Sequence, residues 1–130
     1  ILEAADAGDT DGQYALGLYF RNGDGVRRDY KKGFTYMLKA AKRGDAAAEF
    51  SVGVCYSRGE GVTKDRSKAL QWYRKAAEQG DSDAQYNVGY YCENGISVTQ
   101  DWNQAVKWYR LAAKQGHKDA QKQLMKIMPK

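Results

Sequence analysis

A fixed period of 36 residues runs through this sequence and restricts its fold more than any other feature. Gly8, Gly44, Gly80 and Gly116 stand one period apart, as do Gly17, Gly53 and Gly89, and Gly23, Gly59 and Gly95. The same step links Asp29, Asp65 and Asp101, the alanine pairs at 40–41, 76–77 and 112–113, and the aromatics Tyr36, Trp72 and Trp108. Self-similarity at such a period marks a solenoid, in which each unit covers its apolar face with its neighbours.

Each period reads as two helices. In the first, Gly12, Leu16 and Phe20 lie one above another at i, i+4 spacing and form a core stripe. Ala48, Val52 and Tyr56, then Ala84, Val88 and Cys92, continue it. Thr10 with Gln13, and Ser82 with Gln85, have the spacing of a capping box at the helix start. The turn that follows carries Gly23 and Gly25, then Gly59 and Gly61, then Gly95 and Ser97. The second helix opens at Asp29, Asp65 or Asp101, whose carboxylates suit the orphan N–H groups of a helix N-terminus. It runs to about Lys42, Glu78 or Lys114, and Gly44, Gly80 and Gly116 sit just past its end. Gly33, Ala69 and Ala105 share a face with Tyr36, Trp72 and Trp108, which predicts that the two tryptophans are buried between repeats. Gly17, Gly53 and Gly89 fall inside the first helix, where glycine costs about 1 kcal/mol relative to alanine. A cost repeated at one period implies a close helix–helix approach with no room for a Cβ.

The expected fold class is therefore all-α: an α–α superhelix, or solenoid, of tandem 36-residue helix–turn–helix repeats forming one domain over residues 1–130. Residues 1–8 read as the tail of a truncated repeat, since Ile1 to Gly8 aligns with Met37 to Gly44. That register predicts a leading helical stub and a chain that is part of a longer one. Residues 9–44, 45–80 and 81–116 are full repeats, and 117–130 form a terminal capping helix made polar by Lys122, Lys126 and Lys130.

Chemistry-bearing patterns are sparse. The one histidine, His117, stands at the register position of Asp9, Asp45 and Asp81 and reads as a helix cap rather than a catalytic group. No His/Cys cluster has zinc spacing, no glycine-rich loop follows a strand, and no nucleophile has an evident base. Neither enzyme activity nor a metal or cofactor is expected. Cys55 and Cys92 read as reduced packing residues, because neighbouring helix axes stand farther apart than a disulfide can bridge. The formal net charge of +5 admits a nucleic-acid partner. Cations on exposed helix faces explain the charge more simply, and the repeating aromatics fit core packing better than base stacking. No run of 18 apolar residues is present, so no membrane-inserted helix is expected.

The stretches 72–80 (Trp72-Tyr73-Arg74-Lys75-Ala76-Ala77-Glu78-Gln79-Gly80) and 84–89 (Ala84-Gln85-Tyr86-Asn87-Val88-Gly89) resemble the Sel-1-like repeat, a relative of the tetratricopeptide repeat. Gly59-Glu60-Gly61-Val62-Thr63-Lys64-Asp65 is similar to that family's inter-helix turn. The chain departs from the pattern at Cys92, where an aromatic is usual, at Ser97 in place of a turn glycine, and at Met125 in place of the mid-helix glycine. The resemblance implies a protein–protein interaction scaffold or adaptor, forming part of a larger protein, and brings no catalytic residue with it. It also implies that the lysine-rich second helices form the outer surface and that the first helices line a concave groove. With the core stripe at 12, 16 and 20, the opposite face falls at 11, 15, 18 and 22. The candidate binding residues on that face are Leu18, Asn22, Ser51, Val54, Arg58, Asn87, Tyr90 and Asn94. Their mix of apolar, amide and aromatic groups suits a peptide or a partner protein, bound by a monomeric fragment. The alternative is a helical-repeat module that binds nucleic acid on its basic surface.

Overall fold

The computed structural model describes residues 10–23 and 28–128. The expected stub at residues 1–8 and the turn glycine Gly25 lie outside them. Among the described residues there are seven helices and no strand: α1 Thr10–Asn22, α2 Tyr30–Lys42, α3 Ala46–Arg58, α4 Arg66–Glu78, α5 Ser82–Asn94, α6 Trp102–Lys114 and α7 Lys118–Ile127. Each helix packs on the next in sequence, so α1/α2, α3/α4 and α5/α6 form the repeats while α7 closes the last one. None of these helices is long and apolar enough to cross a membrane.

The local signals explain where these helices begin and end. Asp29, Asp65 and Asp101 are N-caps in extended conformation, accepting from the N–H of Lys32, Lys68 and Gln104. Each is also tied to the preceding helix. The Asp65 N–H donates to the Tyr56 carbonyl and the Asp101 N–H to the Cys92 carbonyl, both at 2.9 Å. These bonds fix the second helix against the first. Gly44, Gly80 and Gly116 take positive φ just past the second helices, where Gly44 N–H donates to the Ala41 carbonyl at 2.9 Å. The first helices are capped one residue earlier than the Ser82/Gln85 spacing suggests. Asp81 is the N-cap, accepting from Ala84 N–H, and Gln85 instead donates to the Ala77 carbonyl. The aspartate wins because a carboxylate at the positive helix end is a better acceptor than a hydroxyl.

The core lies between the helices of each pair and between successive pairs. Leu16, Val52, Ala48, Ala84, Val88 and Cys92 of the expected stripe are buried. Gly12, Phe20 and Tyr56 are half-buried at its margin. The close approach predicted at the mid-helix glycines is present. A Cβ on Gly53 would stand 2.6 Å from the ring of Tyr73, and one on Gly89 would stand 2.8 Å from the ring of Tyr109. The large residues filling these contacts are not the tryptophans. Met37, Tyr73 and Tyr109 are 0–2% exposed, whereas Trp72 and Trp108 are only half-buried. The reason is helical phase. Tyr73 lies four residues after Ala69, directly above it on the packed face, while Trp72 lies about 100° to one side. Lys75 and Lys107 lay their ammonium groups over the Trp72 and Trp108 rings at 4.6 and 5.4 Å from the centroids. Cys55 and Cys92 are both free and buried, and burial raises both thiol pKa values.

Candidate functional site

Helical periodicity carries the candidate residues along one line of α1, α3 and α5. Tyr90, at 44% exposure, is the only exposed large apolar side chain on those three helices among the described residues. Asn22, Arg58 and Asn94 are exposed beside it in the repeat register, and Leu18 and Val54 are half-buried, resting on the core. Asn94 donates from its side-chain amide to the Tyr90 carbonyl at 2.9 Å, which holds the end of α5. Ser51 departs from the expected surface. It is 4% exposed, buried rather than on the open face.

Beneath this face runs a polar ladder. The Tyr73 hydroxyl reaches through the core toward Ser57 of its own repeat and Asn87 of the next, and burial pushes its pKa up to about 12. One period later the Tyr109 hydroxyl donates to Glu93 Oε1 at 2.7 Å, and Gln123 Nε2 donates to both Glu93 oxygens at 3.0 Å. Burial, then the Glu93 carboxylate, raise the Tyr109 pKa as well. Ser57 and Glu93 are one period apart, as are Tyr73 and Tyr109, and Asn87 and Gln123. Half-buried Asn87 therefore stands between the surface and the Tyr73 hydroxyl of the preceding repeat. The 36-residue register already placed these residues in matching columns. The signal missed was that a tyrosine in the 73/109 column brings a hydroxyl that needs partners once its ring is buried.

A second ladder ties the two helices of a repeat together at the other end of the first helices, with one bond reaching back to the preceding repeat. Gln79 Nε2 donates to Glu49 Oε1 at 2.6 Å, and its counterpart Gln115 donates to Gln85 Oε1 at 2.9 Å and to the Gly80 carbonyl at 2.8 Å. His117 acts as a cap, as its register implies. Its Nδ1 accepts from Ala120 N–H at 3.1 Å, its Nε2 lies 3.0 Å from Asp83 Oδ1, and its ring stacks on Tyr86 at 4.8 Å. One neutral tautomer, protonated at Nε2, satisfies both bonds. Every ring nitrogen thus serves the fold. Among the described residues no group of three or more His, Cys, Asp or Glu side chains is placed to hold a metal ion.

The chain matches the family model described as Sel1 repeat three times, at residues 10–45, 46–81 and 82–117. No curated protein sequence matches it. Among solved structures it is similar to a protective antigen of uropathogenic Escherichia coli strains with an SLR fold, at 40% identity and a TM-score of 0.91. That match covers 93% of this chain and 26% of the antigen. It is similar to a Sel1 repeat protein from Oxalobacter formigenes at 34% identity and a TM-score of 0.87, over 91% of this chain and 49% of that one. Helicobacter pylori cysteine rich protein B aligns at 29% identity and a TM-score of 0.71, over 91% of this chain and 84% of that one. The chain thus spans about a quarter and about half the length of the first two.

Proposed function

Because this chain belongs to the Sel1 repeat family, whose members are helical protein-interaction modules, we propose that it binds a peptide or partner protein on the face formed by α1, α3 and α5. The observation that carries this reading is Tyr90. Its equivalents one and two periods earlier, Val54 and Leu18, rest partly on the core, while the Tyr90 ring stands in solvent. An exposed aromatic with a hydroxyl handle is a poor contributor to folding and a good anchor for a partner. Arg58, Asn22 and Asn94 surround the same line with a cation and two amides, and none is committed to a carboxylate of this chain among the described residues. Half-buried Leu18 and Val54 supply apolar area at the same level, in the way a helix or extended segment is received. The reading calls on no catalytic residue.

The test starts from peptides selected by display against the whole chain. Tyr90→Ala with Arg58→Ala should weaken the selected peptides tenfold or more, which is about 1.4 kcal/mol, with little change in thermal stability. Changing Lys31, Lys68 and Lys107 on the second helices should leave peptide affinity unchanged. Lysine variants that abolish binding, with the groove pair silent, would place the working face elsewhere.

A further inference from the structure

The charge of this protein is sharply divided between its two sets of helices. The second helices α2, α4 and α6 carry four, four and three cations, and their only carboxylate is Glu78. All eleven cations are exposed. Among the described residues Arg21 pairs with Glu60 and His117 hydrogen-bonds Asp83, and neither contact involves a second-helix cation. Several ammonium groups lean instead on aromatic rings: Lys39 over Tyr36, Lys75 over Trp72, Lys68 over Tyr56. Ring stacking orients a lysine without neutralising it, so the surface remains a sheet of unpaired positive charge.

Folding alone does not account for that distribution. Cations in the last turn of a helix are favoured by its dipole, but Lys31, Lys32, Arg66 and Lys68 lie in first turns, at the positive end, where cations are disfavoured. None of the three second helices has an acidic residue in its first turn. The N-cap carboxylates Asp29, Asp65 and Asp101 answer the dipoles at those ends, but the cations far outnumber them, and an external anion would relieve their mutual repulsion.

We propose that the face formed by α2, α4 and α6 docks on an anionic lipid bilayer as a peripheral, non-inserted surface. Three features favour a bilayer over other anions. The cations spread over three separate second helices, one in each repeat, so an extended surface of headgroups can engage more of them than a single nucleic-acid strand that follows one row. Eight of the eleven are lysines, compact point charges, rather than the forked arginines suited to bidentate phosphate recognition. Leu111, 39% exposed, stands among them, four residues after Lys107 and three before Lys114 on the same side of α6. Its register equivalents are Lys39 and Lys75. An apolar side chain flanked by lysines matches the layered polarity of a lipid interface. This surface is separate from the first-helix face, so both can be occupied at once.

The experiment is co-sedimentation of the whole chain with vesicles of phosphatidylcholine alone and of phosphatidylcholine with one third phosphatidylglycerol, at low and high salt. Binding should occur only on the anionic vesicles and fade as salt rises. The triple variant Lys31→Glu, Lys32→Glu, Lys68→Glu should lose about a hundredfold or more in partitioning, from the removal of three attractive charges. Those changes put carboxylates where the dipole favours them, so thermal melting should be unchanged or raised, and lost binding cannot be ascribed to unfolding. Equal binding to neutral vesicles, binding that survives the triple reversal, or no binding at low salt would each overturn the proposal. Tighter salt-sensitive binding to polyuridylate RNA than to the anionic vesicles would overturn it in favour of a nucleic-acid surface.

Discussion

Replacing Gly53 by alanine sets two opposing effects against each other at one atom. In an isolated helix the change favours folding by about 1 kcal/mol, because alanine loses less backbone entropy than glycine. In this protein the added Cβ would stand 2.6 Å from Cδ1 and Cε1 of Tyr73 and 3.3 Å from the Ala69 carbonyl oxygen. Carbon atoms in comfortable contact lie about 3.5–4.0 Å apart, so the ring must withdraw by roughly 1 Å. It has little freedom to do so. Tyr73 is 2% exposed, and its ring packs on Phe50 and Tyr91 with centroids 5.7 Å away in each case. Overpacking a closed site costs about 1–3 kcal/mol, and this site lies toward the upper part of that range. The net expectation is a loss of about 1–2 kcal/mol, read by urea denaturation followed by circular dichroism, with a fall in Tm of about 3–8 °C. In a Tyr73→Val background, where the ring is gone, the same Gly53→Ala change should become neutral or stabilising by up to about 1 kcal/mol. The coupling between the two sites should therefore be about 2 kcal/mol. If Gly53→Ala stabilises the unaltered protein, or if the two changes are additive, the close approach is not the reason for the periodic glycines.

Other expectations follow from the same geometry. Tyr73→Ala should destabilise by about 3–5 kcal/mol, the usual loss for a buried large aromatic, whereas Trp72→Ala, half-buried under Lys75, should cost only about 1–2 kcal/mol; denaturation curves giving the reverse order would contradict the phase assignment. Ser97 holds φ at +60° without being glycine, so Ser97→Gly should raise stability by about 0.5–1 kcal/mol by removing left-handed strain, a gain visible as a higher denaturation midpoint. Burial raises the Glu49 carboxyl above its ordinary value of 4.5. As pH rises through that range the unfolded chain ionises first, so the folded state loses stability between 4.5 and the raised value. Glu49→Gln should keep an acceptor for Gln79, flatten that part of the pH–stability profile and leave the protein at least as stable at neutral pH.

The 36-residue period, the aspartate caps and the post-helix glycines are local or repetitive signals, legible one residue at a time. From them came seven helices with boundaries matching those observed, the reduced buried cysteines, the cap at His117 and the reason for the mid-helix glycines. Which neighbour wins a position was less legible. Trp72 and Tyr73 are both aromatic and both recur one period later in type, and only the docking of α4 on α3 decides that the tyrosine enters the core while the tryptophan lies beside it. The same holds for Ser51, whose helical phase suits an exposed line but which the folded chain buries. The bond from the Tyr109 hydroxyl to Glu93, which Gln123 of the last helix also engages, exists only because the ring is buried deeply enough to force its polar end to find a partner. On the second helices the sequence specified how many cations there are. That they are all exposed, and outside the ion pairs of the described residues, depends on how the repeats stack, because stacking turns the opposite side of each second helix toward its neighbours.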